Sequence, residues 1–293
     1  MKIHGTTKIY GIVGWPVAHS LSPLFQGMFL QQRGLDAVYL PFGVRPELIE
    51  QALDGLWALG VEGFNVTVPH KEAVFEKVAC DSDARMIGAV NTVRRGIDGW
   101  QATNTDWKGL LAVIKGIDDD LSGQQALLFG AGGTARAALH ALSTLNLNKL
   151  FICNRNPDRL QALLEFAAKS YPDICCEAVA WQQQAVTAIS GKCRLLVNTT
   201  SIGLHSDDVF PFILAGNGLS VDVVYRPDGS TAFTRASGDR HAVDGLPMLI
   251  AQGAESFAWW HDGDMPDRAE TLAWMETHLN RPSVELSGWG SRL

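Results

Sequence analysis

The sequence predicts an α/β protein built as two domains. Three observations carry this. Apolar runs of strand length alternate with amphipathic stretches of helical period, the pattern of strands joined by right-handed crossovers. The alternation occurs twice, before residue 106 and again after residue 124, with the polar stretch DDDLSGQ between. A chain of 293 residues is long enough for two domains.

The elements follow in order. Residues 8–14, KIYGIVG, read as a short buried strand ending on glycine. SPLFQGMFLQQRG (22–34) spaces its apolar residues as a helix and also stops on glycine. AVYLPFGV (37–44) is a second strand, broken by Pro41, and PELIEQALDGLWALG (46–60) an amphipathic helix with Pro46 at its start. GFNVTV (63–68) is a third strand, followed by a helix, HKEAVFEKV (70–78), with Pro69 suited to its start and Lys71 in its first turn. AVNTVRR (89–95) and WQATNTD (100–106) form a strand pair around a turn at 96–99. The helix DWKGLLAVIKGI (106–117) connects the domains. The second series runs QQALLFG (strand), GTARAALHALSTL (helix), KLFICN (strand) and PDRLQALLEFAAKS (helix), then two buried strands, CRLLVNTT and SVDVVY. From Leu246 to about His278 the chain is helical again, LPMLIAQGAESFAWWHD and then RAETLAWMETHL, and RPSVELSGWGSRL (281–293) has no pattern and is expected to be disordered.

Bulk properties exclude several functions. The formal net charge of −7 leaves no basic surplus for nucleic acid or an anionic membrane. No segment reaches the 18 or so apolar residues that span a bilayer, and MKIHGTTKIYGIVGWP lacks an apolar stretch of signal-peptide length. Five cysteines without repeated spacing suit free thiols in a reducing cytoplasm. His4, His140, His205, His241 and His261 lack metal-ligand spacing, so no metal is expected. The tryptophans, including Trp259 and Trp260, suit packing better than base stacking.

The most specific local signal is LLFGAGGTARAAL. Gly130, Gly132 and Ala135 fit G-x-G-x-x-A between a predicted strand and a predicted helix, the context that the bare pattern needs. The first glycine makes the tight turn; the second lets backbone N–H groups approach a pyrophosphate at the helix N-terminus. The following strand ends Cys153-Asn154-Arg155-Asn156 without a carboxylate, although Asp158 is near. An acid there would take the ribose of NAD; Arg155 and Arg159 instead suit the 2′-phosphate of NADP. NADP is therefore expected, with NAD the weaker alternative. Hydride transfer needs a group that handles a proton. Lys71, in the first turn of a helix where the dipole disfavours a cation, is one candidate. Asp106 stands where a strand gives way to a helix and by itself reads as an N-cap.

Taken in order, GWPVAHSLSP, FNVTVPHK, IGAVNT, NTDWKG, GAGGTARA, NRNPDR, NTTSIGLH, DVVYRPDGSTAF and DGLPMLIAQGAESF resemble the shikimate dehydrogenase family, from about residue 8 to about residue 262. The resemblance implies a substrate-binding domain of residues 1–106 to which 246–293 return, a Rossmann NADP domain of residues 107–245, and an active site in the cleft between them. It implies reversible reduction of 3-dehydroshikimate to shikimate in aromatic amino-acid biosynthesis, with that small-molecule substrate as partner; a monomer or homodimer in the cytoplasm is expected. It assigns Lys71 and Asp106 to catalysis. Ser20 and Ser22 match hydroxyls that hold the substrate carboxylate; Thr67, Asn91, Tyr225 and Gln252 match further substrate residues. Gly130, Ala131, Gly132, Gly133, Thr134, Ala135, Asn154, Arg155, Arg159, Thr200, Val223 and Gly245 match cofactor contacts.

The chain departs from the family pattern in three places. SPxxHN becomes Ser22-Pro23-Leu24-Phe25-Gln26-Gly27, NRT becomes Asn154-Arg155-Asn156, and Leu204 replaces a common methionine. The first two point to a paralogue with altered substrate or cofactor preference, such as a quinate/shikimate dehydrogenase, whereas the paired serines favour shikimate. A ligand-sensing relative without chemistry is the other alternative, against which the intact Lys71 and Asp106 speak.

Overall fold

The computed structural model describes residues 3–118 and 120–289. The chain divides into two compact units, Met1–Thr105 with Gln252–Asp267, and Asp106–Ala251 with Arg268–Leu293.

The first unit contains β1 (Lys8–Gly14), α1 (Ser22–Gln32), β2 (Ala37–Gly43), α2 (Ile49–Ala58), β3 (Gly63–Val66), α3 (Lys71–Phe75), β4 (Ala79–Cys80), α4 (Ser82–Ile87), β5 (Thr92–Arg95) and β6 (Trp100–Thr103). Its six strands are ordered β2-β1-β3-β5-β6-β4. β1 runs parallel to β2 and β3, whereas β5 is antiparallel to both β3 and β6. The expected strand pair at 89–106 thus makes a mixed sheet, because its short turn permits only an antiparallel return. Successive β3 side chains point to opposite faces. Phe64 and Val66 join Val13, Leu53, Leu56 and Val74 in one core, while Asn65 between them meets other partners.

The second unit contains α5 (Asp106–Ile117), β7 (Gln125–Phe129), α6 (Gly133–Ser143), β8 (Lys149–Cys153), α7 (Pro157–Ser170), β9 (Cys176–Val179), α8 (Gln183–Ser190), β10 (Leu195–Asn198), β11 (Leu219–Asp222), α9 (Ala232–Ala236) and β12 (His241–Val243). α10 (Leu246–Trp260) begins in this unit, and the division falls inside it; α11 (Arg268–Leu279) follows. The sheet order β12-β11-β10-β7-β8-β9 is all parallel and reverses between β7 and β10, the doubly wound dinucleotide-binding arrangement. Strands such as KLFIC and LLVN are apolar without alternation because both faces are covered.

Several expectations change. The helix expected at 70–78 covers only Lys71–Phe75, with Pro69 before its N-cap, His70. β4, α4, β9, α8, α9 and β12 are additional short elements, too brief for a period to register. Where the sequence reading returns 246–293 to the first domain, the division assigns Gln252–Asp267 to the first unit and Arg268 onward to the second. The tail is also not without structure up to Trp289. Trp289 is buried, its Nε1 donates to Ala112 O (3.2 Å), and Ser287 Oγ donates to Gly116 O (2.7 Å). Residues 290–293 lie outside the described residues.

Candidate active site

In the first unit the segment around Lys71 is anchored from both sides. Thr67 N donates to Val13 O (2.9 Å), and His70 N closes a turn on Thr67 O (2.9 Å). The buried His70 ring lies with Nε2 2.7 Å from Val44 O, and because a carbonyl only accepts, Nε2 carries the proton. Val90 N donates to Lys71 O (3.0 Å), which fixes the backbone from which the half-buried Lys71 side chain starts.

The carboxyl end of β3, the start of β5 and the segment after β6 enclose a buried network of neutral groups. Asn91 Oδ1 accepts from Thr105 N (2.7 Å) and from Thr92 Oγ1 (3.0 Å). A backbone N–H only donates, so the amide orientation is settled, and Asn91 Nδ2 donates to Gln252 Oε1 (3.0 Å) and Thr105 Oγ1 (2.9 Å). Asn65 Nδ2 donates to Ser256 Oγ (2.9 Å) and Asn91 O (3.1 Å), while Tyr39 Oη donates to Asn65 Oδ1 (2.7 Å). Thr105 Oγ1 also donates to Gln252 O (3.0 Å). Asn91 and Gln252, expected on one substrate and 161 residues apart, are therefore directly bonded.

Ser22 opens α1 and is buried; Ser20, half-buried, accepts from Ser22 N through Oγ (3.2 Å). Asp106, the first residue of α5, is buried. By the division of the chain, Asp106 and Tyr225 belong to the second unit, and Ser20, Ser22, Thr67, Lys71, Asn91 and Gln252 to the first.

In the second unit, the candidate nucleotide residues gather at the carboxyl ends of the strands. Gly130 follows β7 with φ +114°, and a Cβ there would lie 2.4 Å from Thr199 Oγ1. Only glycine combines that backbone angle with that approach. A Cβ on Gly132 would meet nothing within 4 Å, so the space before α6 is open to a phosphate. Ala131 belongs to the same turn; Gly133 and Thr134 open α6, and Ala135 packs inward, buried. After β8, Asn154 Nδ2 donates to Asn156 O (2.8 Å), and Asn156 caps α7 by accepting from Arg159 N (3.0 Å). Asn156, which stands where the family often has threonine, thus keeps a capping function. The side chains of Arg155 and Arg159 are exposed and form no ion pair among the described residues.

Behind this edge lies a second buried network. Thr200 Oγ1 donates to Asn198 Oδ1 (2.7 Å), Asn198 Nδ2 to Asp222 Oδ1 (2.8 Å), and Thr231 Oγ1 to Asp222 Oδ2 (2.6 Å). Burial pushes Asp222 up to about 7, against these donors and Val224 N, which pull it down. Asp244 is buried in a bidentate pair with Arg281 (2.7 and 2.8 Å) and accepts from Arg226 N (3.2 Å). Its burial raises its pKa despite Arg281. A Cβ on Gly245 would lie 2.2 Å from Val223 O, so the turn carrying Val223 to Tyr225 tolerates only glycine opposite it.

Sequence reasoning missed Asn65, Thr92, Thr105, Ser256, Asn198, Asp222, Asp244 and Arg281. The available signal was a polar residue ending an apolar run, as in LLVN and LSVD. Cys153 ends β8, and burial pushes its thiol up to about 12, which makes it an inert packing group. Among the described residues no cluster of His, Cys, Asp and Glu suits a metal ion, and no helix is long and apolar enough to cross a membrane.

Residues 12–93 match the family model for the shikimate dehydrogenase substrate binding domain, and residues 112–180 that for shikimate / quinate 5-dehydrogenase. The chain is 38% identical to a shikimate dehydrogenase (NADP(+)) of Geobacter metallireducens, over 91% of this chain and 95% of that one. The crystal structure of Aquifex aeolicus shikimate dehydrogenase superposes with TM-score 0.81 at 36% identity, covering 92% of this chain and 98% of that one. The Thermus thermophilus enzyme in complex with NADP(H) and shikimate gives 0.78 at 32% identity, over 93% and 99%. Identity at this level over nearly the whole chain, together with the doubly wound sheet and its open glycine turn, places the protein in the shikimate dehydrogenase family.

Proposed function

We propose that the protein catalyses the reversible, NADP-dependent reduction of 3-dehydroshikimate to shikimate, a step of aromatic amino-acid biosynthesis. The observation that carries this reading is the Asn91–Gln252 bond: two residues that the family resemblance assigns to one substrate are held in one buried network. The relatives named as shikimate dehydrogenase (NADP(+)) support the same reading.

The residues present fit NADP. The open space at Gly132 and the N-terminus of α6 suit a pyrophosphate, and the exposed Arg155 and Arg159 suit a 2′-phosphate. Thr200, Val223 and Gly245 lie on the loops after β10, β11 and β12 and suit the rest of the cofactor. When bound, NADPH supplies the hydride.

The substrate carboxylate accepts hydrogen bonds from the Ser20 and Ser22 hydroxyls. Gln252 holds the ring hydroxyls, and Asn91 serves the substrate by fixing the Gln252 amide, with Thr67 and Tyr225 as further contacts. Lys71 supplies the proton at the ketone oxygen during reduction and takes it back during oxidation. Asp106 is the carboxylate that the resemblance assigns to the same proton transfer. The five free thiols support a reducing, cytoplasmic setting. The protein acts as a monomer or homodimer, which sedimentation distinguishes.

NADPH absorbance, followed with and without 3-dehydroshikimate, tests the reading. The parent should consume NADPH only with the substrate, and shikimate with NADP should outperform quinate or NAD. Lys71→Ala should lower kcat by about 10²–10⁴-fold while shikimate still binds. An idle parent removes the reading; a Lys71→Ala enzyme with near-normal turnover removes only the lysine from its role.

A further inference from the structure

Gln26 is the feature that neither the fold nor the proposed chemistry explains. It stands in α1 one turn after Ser22, so the two share a face of that helix. Its side chain is fully buried, and Nε2 donates to Gly253 O (2.9 Å) across 227 residues of sequence. Because that carbonyl only accepts, the amide cannot be turned round. Its Oε1 is left buried without a hydrogen-bond partner. An orphaned buried acceptor is a cost that an apolar side chain of the same shape avoids, so its presence asks what the amide does in return.

Gly253 follows Gln252. The carbonyls of these two successive residues in α10 both accept from side chains outside the helix: Gln252 O from Thr105 Oγ1 (3.0 Å), and Gly253 O from Gln26 Nε2. A Cβ on Gly253 would lie 2.4 Å from Phe25 Cε2, so α1 and this turn of α10 are pressed together where the bond forms. On one side the turn is tied to the network that orients Asn91, and on the other to the helix that begins with Ser22.

We infer that Gln26 is a positioning residue for substrate binding, which sets Gln252 relative to Ser22 by holding α10 against α1 through Gly253. Gln26 does not itself touch the substrate. This inference rests on the proposed function, which assigns Ser22 and Gln252 to the substrate.

The test compares the parent with Gln26→Leu and Gln26→His by steady-state kinetics and thermal unfolding. Gln26→Leu loses the bond and also the orphaned acceptor. It should keep or raise the melting temperature while KM for shikimate rises about three- to tenfold, with KM for NADP unchanged. Gln26→His keeps a ring N–H donor and should recover most of the lost affinity for shikimate. Gln26→Met gives the same reading if Gln26→Leu does not fold. A lower melting temperature with unaltered KM for shikimate would make Gln26 a packing residue and overturn the inference, as would equal increases in both KM values. A parent that leaves shikimate unoxidised overturns the proposed function, and this inference with it; an active parent whose variants behave like it overturns the inference alone.

Discussion

In the first unit the hydrogen bonds that join Asn65, Asn91, Thr92, Thr105, Gln252 and Ser256 to one another run between amides and hydroxyls. In the second, the hydrogen-bonded group of Asn198, Asp222 and Thr231 and the ion pair of Asp244 with Arg281, whose carboxylate acts on Asp222 through its charge, together contain two carboxylates and a guanidinium. Both lie at the ends of strands, and both join segments distant in sequence. They differ in what holds them. A neutral network fixes orientation by matching donors to acceptors and does not respond to pH. A charged one must offset the desolvation of its ions, so it is sensitive both to the loss of a partner and to protonation. The neutral network carries two of the candidate substrate residues, Asn91 and Gln252, and the charged groups brace the loops behind the candidate cofactor residues.

The largest expected effect comes from breaking the charged network. Arg281→Met leaves Asp244 buried without its ion-pair partner and should destabilise the protein by about 3–5 kcal/mol in urea unfolding. Adding Asp244→Asn to the same chain should recover a large part of that. A single variant within experimental error of the parent would show that the pair contributes nothing to the hold on the tail.

Next in size is a pH effect. Asp222 has its pKa raised by burial from 3.8 to about 7. The folded state therefore binds more protons than the unfolded state between these values, and stability from this group falls as pH rises through the window. The gap corresponds to roughly 4 kcal/mol at most. Asp222→Asn should flatten the fall in unfolding free energy between pH 4.5 and 7.5, whatever its effect on the baseline. His261 in the first unit works in the opposite direction: burial lowers its pKa, so its contribution is lost as pH falls below 6.5. The difference between parent and variant cancels that contribution. An unchanged slope would mean that Asp222 stays ionised across the window.

The smallest effect belongs to the neutral network. Asn65→Ala removes the Oδ1 that accepts from Tyr39 Oη and the Nδ2 that donates to Ser256 and Asn91, a loss of about 1–3 kcal/mol. The loss should be the same at pH 5.5 and pH 8, measured by urea unfolding. A loss that depends on pH would dissolve the contrast between the two networks.

Lys71 shows how far a local reading reaches. The sequence placed it at a helix start, where the structure also has it, but the anchors of that turn, Val13, Val44 and Val90, come from three other segments. Gln26 shows the opposite case. As a letter in SPLFQG it was a departure from a family pattern; only the fold brings it to Gly253.

By itself the sequence determined the two α/β series, the glycine turn before α6 and the absence of a carboxylate at the end of β8, because strand and helix periods and turn chemistry are local properties. It also carried the family resemblance through motifs spread along the chain. The tertiary structure decided the antiparallel pairing of β5 with β3, the assignment of Arg268 onward to the second unit and the docking of the tail through Arg281 and Trp289. It also decided which polar residues are buried together. Those facts depend on partners far apart in the chain, and neither residue of such a pair carries a mark of the other until both are buried and each must find a hydrogen bond.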